Sequence, residues 1–430
     1  MRRKIESRLL AWKDRVAGRT PLLIYGARHT GKTHVLKALG EKYYRNMIYI
    51  NLETELAAAR YFEGGIKPDR LIRLLEAATN DVITPGETLI VFDEIQSCGR
   101  AMTSLKHFCD SAPEYHVAAA GSLLDVAVNR GKCPPPHAGI ELAPIYPLDF
   151  EEFLWALEEE PLAERIRACH AELSPMPEAL HRKAVDLYRR YLYIGGMPAC
   201  VAALAGGAGT LSVPAIQREI VSSYTADMAK YSRHAEIAKI RACYGSIPAQ
   251  LTKESRKFQY KTVQKGGSAS LYGAAIDWLL QSGVALKCRK LTQATEPLRN
   301  YGDPASFKLY FNDTGLLTVQ FGLTQQAVMG GDSGIYMQAV SENYAAQTFV
   351  TNGYQLFYGP GEHSSEIDFV LQKGADIIGV EVKRGARART RSLSAFTQRY
   401  SPAYTIRLSE KNFGEENGVR AIPLYAAFCT

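Results

Sequence analysis

Apolar residues along this chain follow two rhythms, and the change from one to the other divides it. Between residues 20 and 150, short apolar runs alternate with stretches of helical spacing. The runs Leu22–Tyr25, Met47–Asn51, Thr88–Glu94, His116–Ser122 and Ile140–Ile145 read as strands. Thr88–Glu94 is apolar on successive residues until its two terminal acids, the signature of a strand covered on both faces, as in a parallel sheet flanked by helices. Residues 1–20 form an amphipathic lead-in helix with Ile5, Leu9, Leu10 and Trp12 as its apolar positions. The expected fold class is α/β, with a doubly wound parallel sheet in residues 1–150 and a ligand site at the carboxyl ends of its strands.

Beyond Leu148 the spacing turns helical to about residue 234, with Leu180, Val185, Leu187, Tyr188 and Leu192 striping Glu178–Tyr193. Proline-bearing breaks fall at Ser174–Pro177 and Gly196–Pro198. Residues 151–234 therefore read as a helical lid. Residues 235–325 suggest a helix-turn-helix or winged-helix unit, with a helix over Ser270–Leu280 and strands at Gly283–Cys288 and Phe307–Asn312. In residues 326–430 a helix over Ser341–Val350 precedes strands at Tyr354–Tyr358, Glu366–Leu371 and Ile377–Lys383.

Composition narrows the class. The chain has 430 residues, 46% of them hydrophobic and 22% charged, as expected of a multi-domain globular protein. Met1–Lys4 is basic, but Ile5-Glu-Ser-Arg8 interrupts any signal-peptide core, and no apolar run is long enough to span a bilayer. A cytoplasmic location without a membrane partner is expected. Eight scattered cysteines lacking any C-x-x-C pair point to free thiols rather than disulfides or zinc. A formal charge of +7 is compatible with a nucleic-acid partner without requiring one.

The chemistry centres on Gly26-Ala27-Arg28-His29-Thr30-Gly31-Lys32-Thr33, followed by His34, between a strand and a helix. This is the G-x-x-x-x-G-K-[ST] phosphate loop in its required context. Backbone N–H groups from Ala27 through Thr33 would cradle the phosphates of ATP, Lys32 would reach the β- and γ-phosphates, and the Thr33 hydroxyl would ligand Mg²⁺. Asp93 would complete the Mg²⁺ shell, Glu94 would orient or deprotonate the attacking water, and Ser122 would act as a polar sensor near the γ-phosphate. Arg100, Arg130 and Lys132 are candidates for a cation acting on a neighbouring subunit's nucleotide. Gly195–Pro198 is either a bend whose backbone touches the base or an ordinary helix stop.

Two further patterns carry charge. Lys253, Arg256, Lys257, Lys261 and Lys265 are interleaved with Phe258 and Tyr260, suiting phosphate contact, although a winged helix equally serves as a protein-interaction lid. In the last segment Asp368 and Glu381 fall on neighbouring strands, with Lys383 on the face of Glu381. The two carboxylates could hold Mg²⁺, with Glu342 reaching the same ion from its helix, while Lys383 positions a water or steadies phosphorane charge. Lys383, Arg384, Arg387, Arg389 and Arg391 form a basic run suited to a nucleic-acid backbone.

Taken in order, GARHTGKT, LIVFDEIQ, AAGSLL, YPLDFEEF, YIGGMP and KLYFNDTGLL resemble the AAA-type ATPases of bacteria and archaea that carry an uncharacterised C-terminal domain. The resemblance spans nearly the whole chain and implies an ATPase core, a helical lid, a winged helix and a C-terminal restriction-endonuclease-like domain. It implies phosphate-loop roles for Lys32 and Thr33, metal and water roles for Asp93 and Glu94, and the sensor strand for Ser122. It also implies that Pro198 lies in the turn near the nucleotide, and that Glu342, Asp368, Glu381 and Lys383 are a PD-(D/E)XK nuclease set. Asn129-Arg-Gly-Lys132, where such proteins often show Gly-Arg, departs from the pattern, as does the proline-rich Cys133–His137 that follows it. The expectation is an ATP-hydrolysing protein whose nucleotide state controls a nuclease-like, DNA-contacting domain, with homo-oligomers possible. A nucleotide switch that binds a nucleic-acid or protein partner without cleavage is the alternative. A small-molecule kinase fits less well, because Asp93-Glu94 suits attack by water.

Overall fold

The computed structural model describes residues 1–430 except 56, 130, 132, 137, 208, 231–233, 331–333, 361–365 and 384–390. The chain divides into two compact units, Arg2–Tyr146 with Gln281–Gly283, and Pro147–Leu280 with Val284–Thr430 and Met1.

In the first unit the order is α1 (Ile5–Lys13), β1 (Leu22–Tyr25), α2 (Lys32–Tyr43), β2 (Asn46–Asn51), α3 (Pro68–Thr79), β3 (Thr88–Asp93), α4 (Gly99–Ser111), β4 (His116–Gly121), α5 (Leu124–Asn129) and β5 (Glu141–Pro144). The strands form a sheet in the order β2-β3-β4-β1-β5, and every recorded pairing is parallel. Strand alternation explains the two apolar layers. Leu22, Ile24, Leu89, Val91, Ala118 and Ala120 pack with Val35, Leu36 and Leu39 of α2. Leu23, Ile90, Phe92, Val117 and Ala119 pack instead with Leu71 and Leu75 of α3 and Met102 and Leu105 of α4. Every residue of β3 and β4 is buried, as the unbroken apolar run of β3 anticipates.

The second unit begins with helices α6 (Phe150–Ala156), α7 (Glu160–Glu172), α8 (Glu178–Ile194), α9 (Pro198–Ala205), α10 (Val213–Lys230), α11 (His234–Leu251), α12 (Tyr260–Val263) and α13 (Ala269–Gln281). Asp149 caps α6 in a capping box with Glu152. There follow β6 (Ala285–Leu291), β7 (Gly302–Phe311), α14 (Thr314–Gln320), α15 (Gln325–Gly330), α16 (Gly334–Thr351), β8 (Phe357–Tyr358), β9 (Phe369–Lys373), β10 (Asp376–Val382), α17 (Arg391–Tyr400), β11 (Thr405–Ser409), β12 (Gly414–Glu416) and β13 (Val419–Pro423).

These strands make a mixed sheet of order β12-β13-β11-β10-β9-β8-β6-β7. The hairpin β6–β7 follows three helices, as a wing would, but β6 pairs with β8 in parallel. One sheet thus runs through residue 325, where the sequence suggested a division. An isolated two-stranded ribbon is marginal in water, and joining a larger sheet gives this one a buried face. The turn Gly195–Pro198 is enclosed within the same unit. The Gly196 N–H donates to Asp313 Oδ2 at 2.6 Å and its carbonyl accepts from the Leu148 N–H at 2.7 Å. Pro198 is the first residue of α9. All eight cysteines are unpaired, and among the described residues no helix is long and apolar enough to cross a membrane.

Candidate nucleotide site

The loop between β1 and α2 is shaped by its two glycines. A Cβ on Gly26 would come within 2.2 Å of the Ile145 carbonyl, and Gly31 takes φ +94° as the residue before α2. Thr30 Oγ1 donates to the Ala27 carbonyl at 2.9 Å, and Arg3 Nη1 donates to the Thr30 carbonyl at 3.0 Å. Lys32 is folded back into the loop, with Nζ donating to the carbonyls of Ala27 (2.7 Å) and Gly26 (3.1 Å). Arg28 pairs with Glu53 at 2.5 Å, whereas His34 is on the exposed side of α2.

Parallel pairing aligns Asn51 with Asp93 and Tyr25 with Gly121, bringing the ends of β1 to β4 to one edge beside the loop. There Asp93 Oδ2 accepts from Thr33 Oγ1 and from the Tyr49 hydroxyl, each at 2.6 Å, and Oδ1 accepts from the Glu94 N–H at 2.9 Å. Burial and the bond to Asp93 push the Tyr49 hydroxyl up to about 12. Glu94 stands at φ +51°, off the end of β3. Its Oε2 accepts from Ser122 Oγ at 2.6 Å and Gln96 Nε2 at 2.5 Å. Two adjacent carboxylates are thus assigned different partners, one a threonine and a tyrosine, the other a serine and a glutamine.

Thr33 and Asp93 fit Mg²⁺. Their oxygens adjoin, and the ion ordinarily takes only one or two protein ligands beside phosphate oxygens and water. The structure links Thr33 to Asp93 and Ser122 to the adjacent Glu94, next to the loop that holds Lys32. It adds Tyr49, Gln96 and Glu53. Tyr49 carried a faint signal, being two residues before the end of the strand beside β3. Gln96 and Glu53 carried none. Arg100 donates Nε to the Phe62 carbonyl at 2.7 Å, at the end of a 3-10 turn over Ala58–Phe62, while Arg130 and Lys132 lie outside the described residues.

Residues 18–154 match the family model of the AAA domain. Over that segment the chain is similar to AAA domains. Residues 185–327 and 337–427 match two models each described as a domain of unknown function, DUF8612 and DUF4143 respectively. No curated protein matches the chain. Among solved structures, the ORC2 protein of Aeropyrum pernix with ADPNP and ADP is 14% identical, covers 79% of this chain and 91% of its own, and has a TM-score of 0.34. Its ADP form is 15% identical, with coverage of 78% and 94% and a TM-score of 0.29. PCH-2 of C. elegans is 14% identical, with coverage of 40% and 44% and a TM-score of 0.19.

Beyond residues 18–154, the four suspected nuclease residues fall into two pairs rather than one site. Phe369 pairs with Val380 and Val370 with Gly379, so Phe369 and Val380 share one face while Val370, Gly379 and Glu381 share the other. The first face meets α16, through Phe349 against Phe369. The second meets α17, where Phe396 lies over Gly379. Glu381 accordingly bonds Ser392 of α17, pairs with Arg407 at 3.4 Å and lies 3.7 Å from Lys383. The expected common face of Glu381 and Lys383 is observed. Glu342, on α16, instead pairs with Arg256, whose guanidinium also lies 3.6 Å from Asp368. Among the described residues no three of His, Cys, Asp and Glu are placed to hold a metal ion. The expected Mg²⁺ set of Glu342, Asp368 and Glu381 therefore does not fit: strand alternation sends Glu381 to the far face, and the Arg256 guanidinium is already paired with the other two.

The basic and aromatic stretch before α13 is also largely engaged. Phe258 stacks on Phe307 with centroids 5.6 Å apart, Lys257 donates to Ser306 and Lys253 to Thr262, leaving Lys261 and Lys265 exposed. Arg384, Arg387 and Arg389 lie outside the described residues, and Arg391 is the first residue of α17.

Proposed function

We propose that this protein binds ATP with Mg²⁺, hydrolyses it, and uses the nucleotide state to control its C-terminal region. The observation that carries the reading is the Asp93 carboxylate bridging the Thr33 and Tyr49 hydroxyls at 2.6 Å, at the mouth of the phosphate loop. Lys32, now bonded to two loop carbonyls, would exchange them for phosphate oxygens. The loop N–H groups from Ala27 to Thr33 would hold the β-phosphate, with Arg28, His29 and Thr30 contributing backbone rather than side chains. Thr33 and Asp93 would hold Mg²⁺, which when bound supplies charge neutralisation between the β- and γ-phosphates. Glu94 would take the proton of the attacking water, and Ser122, bonded to Glu94, would couple that carboxylate to the γ-phosphate position.

The order helix, three strands, helix, strand from α16 to β11 supports a restriction-endonuclease-like scaffold, and three helices before a hairpin support a winged-helix-like region. Of the two roles for that scaffold, binding a nucleic-acid or protein partner without cleavage is better supported, because its acids already have cationic partners. Phosphate release from ATP with Mg²⁺ tests the first claim, and the absence of release at any partner concentration would refute it. Single- and double-stranded DNA incubated with Mg²⁺ or Mn²⁺ tests the second. Cleavage lost in both Asp368→Ala and Lys383→Ala would restore the nuclease reading. Native mass spectrometry with ATP reports homo-oligomers, and limited proteolysis with and without a non-hydrolysable analogue reports the coupling.

A further inference from the structure

Independently of the nucleotide site, we propose that Arg256 is the resident counter-ion of Glu342 and Asp368, making the acid pair a guanidinium clasp rather than a divalent-cation site. Arg256 comes from the segment between α11 and α12, whereas Glu342 is on α16 and Asp368 immediately precedes β9. Glu342 is fully buried, and the Arg256 side chain is 19% exposed. The remaining acceptor positions are also used. Tyr310 Oη and Gln338 Nε2 each lie 3.4 Å from Glu342, and Asp368 Oδ2 accepts from the Val382 N–H at 2.8 Å.

A second cation completes the cluster. Lys308, 2% exposed, pairs with Glu366 at 3.2 Å and sits 4.6 Å over the Tyr358 ring. Lys290 reaches Glu366 at 4.0 Å. Burial alone would lower the Lys308 ammonium, but Glu342, Glu366 and Asp368 hold it above its ordinary value. Three acids, two of them bonded to each other, thus face three cations in a partly desolvated place. A divalent ion would add two uncompensated charges there, at a desolvation cost that only further carboxylates could offset. Glu381, the remaining acid of the expected set, belongs to the opposite face of the sheet. Arg256 and Lys308 precede residue 325 and the three acids follow it, so the clasp ties together the two stretches of chain that share the mixed sheet.

The test uses the full chain without nucleotide. Free Mn²⁺ is followed by electron paramagnetic resonance for the wild type, Glu342→Gln and Asp368→Asn, and the three titrations should superimpose. Urea midpoints are then measured for Arg256→Gln in the wild-type and Glu342→Gln backgrounds. Removing the guanidinium should lower the midpoint clearly more when Glu342 is present, since it then leaves a buried carboxylate without its partner. If Arg256→Gln does not fold, Arg256→Lys, which keeps charge but loses the fork, supplies the cycle with the same expected sign. A Mn²⁺ site lost in either carboxylate variant, or equal midpoint shifts in the two backgrounds, would overturn the assignment. None of these readouts depends on ATP hydrolysis, so its failure and that of the ATPase reading are separable.

Discussion

Tyr49→Phe isolates one hydrogen bond at the proposed metal shell. Asp93 receives three donors in this structure, the Thr33 and Tyr49 hydroxyls on Oδ2 and the Glu94 N–H on Oδ1. The substitution removes one donor and keeps the ring, which also carries Lys37 Nζ at 4.1 Å from its centroid. A hydrogen bond to a charged acceptor is worth about 1.5–3 kcal/mol when nothing replaces it. Tyr49 is only half-buried, and water can take part of its place, so about 1 kcal/mol is the expected loss. At about 1.4 kcal/mol per decade, this corresponds to roughly fivefold weaker Mg²⁺-dependent nucleotide binding. The assay is titration of a fluorescent ATP analogue with Mg²⁺ and again with EDTA. The Mg²⁺ curve should shift by that factor while the EDTA curve stays put, because Tyr49 acts on the Asp93 carboxylate rather than on the loop amides. Equal shifts in both curves, or none in either, would refute the link from Tyr49 through Asp93 to the metal.

Lys32→Ala should retain its far-ultraviolet circular dichroism but bind ATP about 100-fold more weakly or worse, as loss of a charge-assisted phosphate contact requires; equilibrium dialysis measures it. Glu94→Gln should bind nucleotide normally while hydrolysis falls by about 10²- to 10⁴-fold, read by phosphate release, since the amide keeps both acceptor contacts but takes no proton. His116, buried on β4 and bonded to the Tyr44 hydroxyl, is lowered from 6.5 to about 4, chiefly by burial and then by Arg19 and Lys13. The unfolded chain therefore binds more protons between those values, and stability present above pH 6.5 is lost as pH falls toward 4. The loss attributable to His116 is on the order of 2 kcal/mol, and melting temperatures across that window should fall less steeply in His116→Asn.

The candidate nucleotide site was legible because most of its residues are local. Gly26, Gly31, Lys32 and Thr33 are adjacent in sequence, Asp93-Glu94 ends an unbroken apolar run, and both patterns report backbone requirements any such loop must meet. Parallel pairing did the rest, since strands in register deliver their carboxyl ends to one edge. What the sequence could not convey was partner choice between distant segments. Ser122 meets Glu94, and Tyr49 meets Asp93, only because β2, β3 and β4 are neighbours. The C-terminal acids show the limit most clearly. Their spacing resembles a metal-binding set, and period-two alternation correctly places Glu381 with Lys383. Which carboxylates meet depends on the pairing of β9 with β10, on which helix covers each face, and on a guanidinium arriving from more than eighty residues upstream of Glu342. Local chain stereochemistry sets the loop and the strands. The long-range balance of buried charge, which no window of sequence contains, decided what those acids face.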